Sequence, residues 1–139
     1  MPHFEKIEYK PIPVRELLIE LKNLSELMID LAYSSALYND KGLAEEVLAL
    51  ESRVDTLAYL LDMEIMVAAR DPKDAEAMVG ISKVASSTDK ISDAAADIAA
   101  IVTRNIGIHP IVSEIFERVE ERLMKVIVKA DSELVGRRI

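Results

Sequence analysis

Two acid-x-x-x-acid pairs hold most of the chemistry this chain offers: Glu51 with Asp55, and Asp89 with Asp93. On a helix, residues four apart rise about 6 Å and differ by about 40° in azimuth, so each pair sets both carboxylates on one face. Two such helices side by side make an oxygen-rich pocket. Carboxylates are hard ligands, and a set without Cys or His suits Mg, Ca, Mn or Fe better than a closed zinc site. Like charges at this spacing cost a helix about 0.2–0.5 kcal/mol per pair. A divalent or iron-type metal ion between two such pairs, Glu51 with Asp55 and Asp89 with Asp93, is therefore a sensible physical complement. The plainer reading is that Asp55, Asp89 and Asp93 lie off the apolar stripes and form a solvated face.

Weaker candidates surround these four. Glu26 and Asp30 make a third acidic pair, more simply a polar face. Asp62 shares the azimuth of Glu51 and Asp55 and extends the acidic side. Tyr33, Tyr38 and Tyr59 read as packing at the core edge, His3 as part of an arm, and His109 as a cap at a helix start. A ferritin-like di-iron centre needs Glu-x-x-His on its helices, and none is present. The Glu-x-x-Glu and Glu-x-x-Asp spacings of all-helical nucleotide pyrophosphatases are not met by the two pairs. There is no Ser-His-Asp set, no Gly-rich phosphate loop and no basic cluster. The chain is expected not to be an enzyme, with no catalytic residues; a metal-dependent all-α nucleotide hydrolase is the alternative from that class.

These residues need long rods to position them. The 139-residue chain is half apolar and 30% charged, with only 4% aromatic residues and four Gly, the profile of one packed helical domain. A net charge of −8 excludes a nucleic-acid partner, which requires a basic face. The absence of Cys removes disulfides and thiolate sites and suits the cytoplasm. The start, MPHFEKIEYKPIP, has no apolar core for a secretory signal. No apolar run reaches the ~18 residues a membrane span needs, so no membrane insertion is expected.

Residues 1–12 read as an arm. Pro13 then suits a first helical position, and Val14, Leu17, Leu21, Leu24, Met28, Leu31 and Ser35 mark a first helix to Tyr38. Asn39 to Gly42 is a turn short enough to force an antiparallel hairpin. A second helix runs from about Leu43 to Arg70 on Val47, Leu50, Val54, Leu57 and Leu61. Asp71-Pro72 caps and opens a third, to about Arg104. Its stripe is Ala77, Ile81, Val84, Thr88, Ile91, Ala95, Ile98 and Val102. Small residues such as Ala85, Ser92, Ala95 and Ala99 invite close approach, and this Ala-rich face is expected to bury against a second copy. Gly107 is available for a left-handed stop. A short fourth helix extends from His109-Pro110 to about Glu121. Beyond it, Met124, Val126 and Val128 alternate with Lys125, Ile127 and Lys129, a strand pattern. A single strand makes no sheet, so the chain reads as the front of a longer one, cut inside a second domain.

Helix two, with Glu51-Ser-Arg-Val-Asp55 followed by Leu57, resembles the first acidic motif of the PhoU family. Helix three, with Asp89-Lys-Ile-Ser-Asp93-Ala-Ala-Ala-Asp97-Ile-Ala, resembles its second, with Asp89 where Glu is common and Ser92 and Ala94 where Gly and His often stand. The likeness spans roughly Leu17 to Val102. The tail from Leu123 to Ile139 resembles the opening of a TrkA C-terminal (RCK-C) domain. That order is similar to soluble proteins linked to prokaryotic potassium channels and transporters.

The resemblance implies an all-α fold: an antiparallel three-helix PhoU-like bundle with a short fourth helix and one C-terminal strand. The division is an arm (1–12), the bundle (13–108), a linker helix (109–122) and the start of a TrkA-C-like domain (123–139). It implies metal ions at Glu51, Asp55, Asp89 and Asp93, a homodimer, and a cytoplasmic regulatory module associated with potassium transport, held at the inner face of the membrane through a channel or transporter partner. A phosphate-uptake regulator of the PhoU type is the alternative.

Overall fold

The computed structural model describes residues 6–118, 123 and 126–138. Three long helices, α1 (Val14–Tyr38), α2 (Lys41–Ala68) and α3 (Pro72–Thr103), each pack against the other two, and a short α4 (Pro110–Phe116) lies against α1. The all-α bundle expected from the sequence is present. Its core is one apolar cluster. Leu17, Leu21 and Met28 of α1 meet Val47, Val54, Leu57 and Leu61 of α2, and Ala95, Ala99 and Val102 of α3 close it.

The helix ends follow side-chain chemistry. Pro13 is the cap of α1 rather than its first residue. Asn39 takes φ 49°, and its N–H donates to Ala36 while Asp40 N–H donates to Ser35 (2.9 Å). That pair of bonds satisfies the last carbonyls of α1, and Asn tolerates the left-handed conformation it needs. Asp40 immediately caps α2 by accepting from Leu43 N–H (3.1 Å), so α2 starts at Lys41 and the hairpin turn is tighter than the sequence suggests. Asp71 caps α3 as expected, accepting from Asp74 N–H at 2.9 Å. Asn105, at φ 54°, provides the left-handed stop after α3. The stop expected at Gly107 therefore falls two residues earlier. His109 does cap α4, its Nδ1 accepting from Ile111 N–H at 3.2 Å.

The buried face of α3 differs from the expected stripe. Ala85, Thr88, Ser92, Ala95, Ala96, Ala99 and Val102 point inward, whereas Val84 (58% exposed) and Ile91 (42%) point out. Thr88, Ala95 and Val102 belong to both lines, so the two readings differ by a step of one residue around the helix. The inward line is the one that lets α1 and α2 come close. Its hydroxyls are satisfied locally: Ser92 donates to the Asp89 carbonyl (2.7 Å) and Thr88 to Val84 (3.0 Å), which keeps a polar group in a dry interface at little cost. The Ala-rich face is thus consumed within the chain and is not free to bury against a second copy.

Two flanking segments complete the description. In the arm, Ile7 and Ile12 pack on the core. The Tyr9 hydroxyl donates to the Glu64 carboxylate, which together with some burial and the Glu64 charge raises the phenol above its usual pKa. His3 lies outside the described residues. At the other end, Leu123 packs against the core, and its N–H donates to the buried Ser34 Oγ at 2.9 Å. The strand expected over residues 123–130 is not found among the described residues; Met124 and Lys125 lie outside them. A strand needs a neighbour to pair its N–H and C=O groups. The backbone bonds within residues 126–138 are local turns, such as Ser132 N–H to Lys129 O at 3.0 Å.

Candidate metal centre

Each acid of the candidate site sits one step beyond a buried residue. Asp55 follows Val54, Asp89 follows Thr88 and Asp93 follows Ser92, and all three predecessors are buried. One residue is about 100° around a helix, so these carboxylates emerge at the rim of the α2–α3 contact. They emerge on the same rim. One oxygen from each of Asp55, Asp89 and Asp93 can be chosen so that all three lie within 4.8 Å of one another. Asp89 is half-buried, and Asp55 and Asp93 are exposed.

Glu51 is not part of this close trio. It stands one turn before Asp55, half-buried, and feels the other carboxylates. Burial, then the charges of Asp55, Asp93, Asp97 and Asp89, raise its pKa above the usual range. Asp55 is raised by burial and Asp93, a shift partly offset by a hydrogen bond from Asp89. Asp89 is raised by burial, by the Asp55 charge, by the hydrogen bond it donates to Asp55 when protonated, and by Asp62. Asp93 is raised by burial and by the Asp89 and Asp97 charges. All four shifts have one sign: burial is the largest cause in each, and the neighbouring carboxylates add to it.

The donor set is oxygen throughout. Three carboxylates fit a hard divalent ion and leave its remaining positions to water or an anion. Two neighbours were only partly anticipated. Asp62 lines the groove beside the trio with Asp55 and Asp89 and acts on Asp89, in line with its shared azimuth. Asp97 acts on Glu51 and Asp93; it lies four residues beyond Asp93, and the same spacing rule that found the pairs would have found it. Tyr59 also lines this groove and is 51% exposed, so it is not a core-edge residue. The third pair does not join. Glu26 bonds Lys22 on its own helix at 3.1 Å, and with Asp30 it faces Ile91 across a separate shallow groove.

With this geometry in view, the comparison with known families is decisive. The family model for the PhoU domain matches residues 18–102, more than half of the chain and all of the site. The chain belongs to the PhoU family. No curated protein sequence matches it. PhoU domains are regulatory rather than catalytic. Among the described residues, no PhoU-bundle helix is long and apolar enough to cross a membrane.

Proposed function

We propose that this PhoU-family chain is a regulatory module for ion uptake that binds a divalent or iron-type cation through Asp55, Asp89 and Asp93, with Glu51 at the margin. The carrying observation is that two helices deliver three carboxylate oxygens to within 4.8 Å of one another. Regulation of phosphate uptake is the reading that follows from the family itself. Association with potassium transport draws on the likeness of residues 123–139 to a TrkA-C domain, and the absence of a strand among residues 126–138 gives that likeness less support. A strain lacking the protein separates the two: phosphate uptake changes under the first reading, and uptake of rubidium as a potassium tracer under the second.

The metal is tested by elemental analysis of purified wild type beside an Asp55→Ala, Asp93→Ala double variant. Metal present in the first and absent from the second is the expected result; equal content removes the site. A homodimer is supported by the apolar side chains that α1 and α3 turn outward, Leu27, Val84 and Ile91 among them. A nucleotide hydrolase would show Mg-dependent turnover that Asp93→Asn abolishes; no turnover is expected.

A further inference from the structure

We infer that residues 6–12 are a strap poised to open on α2, clasped by the Tyr9 hydroxyl on Glu64 and loosened by the second oxygen of that same carboxylate. The strap lies outside any helix. Its backbone makes one internal hydrogen bond, Ile12 N–H to Lys10 O at 2.8 Å, and among the described residues none to the bundle. Side chains hold it: Ile7 and Ile12 pack on the core, and Tyr9 donates to Glu64. Such a segment opens locally without unfolding the helices.

Glu64 works in both directions. Tyr9 takes one carboxylate oxygen; the other, Oε2, is buried and has no hydrogen-bond partner among the described residues. No ion pair among them reaches Glu64 either. An anionic oxygen shut away from water without a donor bears its full lost hydration. The two oxygens of one carboxylate are neighbours, so the phenol ring that bonds one also screens the other. Lifting the strap breaks one hydrogen bond and lets water reach Oε2. One half of the carboxylate therefore holds the strap while the other half opposes it, which brings the docked and open states close in free energy. Tyr9 is itself 45% exposed, so solvent already stands beside the clasp. Ile7 walls the groove that runs past Tyr59 and Met63 of α2, so the position of the strap sets the width of that groove.

The test uses the full chain and trypsin. Cleavage after Lys6 requires the strap to lift, because Ile7 packs on the core, and the Lys10–Pro11 bond resists the protease. Where closing outpaces cleavage, the rate follows the open population. Mass spectrometry counts the loss of residues 1–6 alone, and each rate is divided by that of the same variant unfolded in urea. Tyr9→Phe is expected to be cut about fivefold faster than wild type; an unchanged rate overturns the clasp. Glu64→Gln keeps an acceptor for Tyr9 and removes the buried charge, so it is expected to be cut about threefold more slowly. A clasp that only stabilises would respond the other way, because a neutral acceptor is weaker than a charged one. An equal or faster rate for Glu64→Gln overturns the inference.

Discussion

Asp89 is the half-buried member of the trio, and its surroundings hold its carboxyl above the usual range. The carboxyls of Glu51, Asp55, Asp89 and Asp93 all titrate above their ordinary values of 4.5 and 3.8. The folded chain therefore holds more protons than the unfolded one in the window above those ordinary values. The stability these groups contribute is complete below that window and is lost as pH rises through the raised values. In chelator, the melting temperature of wild type should fall from about pH 4 to pH 7 relative to Asp55→Asn, Asp89→Asn, whose profile should be flatter over that range. Added Mn(II) should restore wild type at pH 7 and leave the variant unmoved. Acid spacing made the trio legible in the sequence. The outlying position of Glu51 was not, because it depends on how far α2 is rotated against α3, and spacing along one helix carries no such information.

At the scale of the helix, α3 shows what a periodic pattern can and cannot resolve. Thr88, Ala95 and Val102 recur every seven residues and lie inside on either reading. The choice between their neighbours Val84 and Ile91 or Ala85 and Ser92 is a choice between adjacent faces, and hydrophobicity favours the wrong one. Packing favours the small side chains because two other helices must approach the same rod. Ala95→Leu or Ala99→Leu should destabilise the bundle by about 1–3 kcal/mol through overpacking. Val84→Ala should stay within about 0.5 kcal/mol. Urea unfolding measures both, and a reversed order would mean that α3 is rotated from the position described. Asp71→Ala removes a cap and should cost about 1 kcal/mol in the same assay. The caps illustrate the same limit: Asp71 announces itself before Pro72, whereas Asn105 is masked by Gly107, a residue type commoner in the left-handed conformation.

Taken as a whole, the molecule has a negatively charged α2–α3 rim and an apolar α1–α3 side. Ile91 lies on the second and lines a groove with Ile29, Glu26 and Asp30. If two copies meet there, Ile91→Asp places like charges and an unsolvated carboxylate in the contact. Light scattering should then show a dimer for wild type and a monomer for the variant, with the metal content of both the same. A monodisperse wild-type monomer at micromolar concentration would remove the second copy from the reading.

Ser34 has a mechanical role that follows from its position. Its hydroxyl, buried in α1, takes the Leu123 amide, and so pins the polypeptide to the first rod after α4. Residues 126–138 depart from that pin, and any pull on them is delivered to α1 at a fixed point rather than spread along the bundle. Ser34→Ala would remove that bond, leaving Leu123 held by its packing on the core alone and the rods assembled.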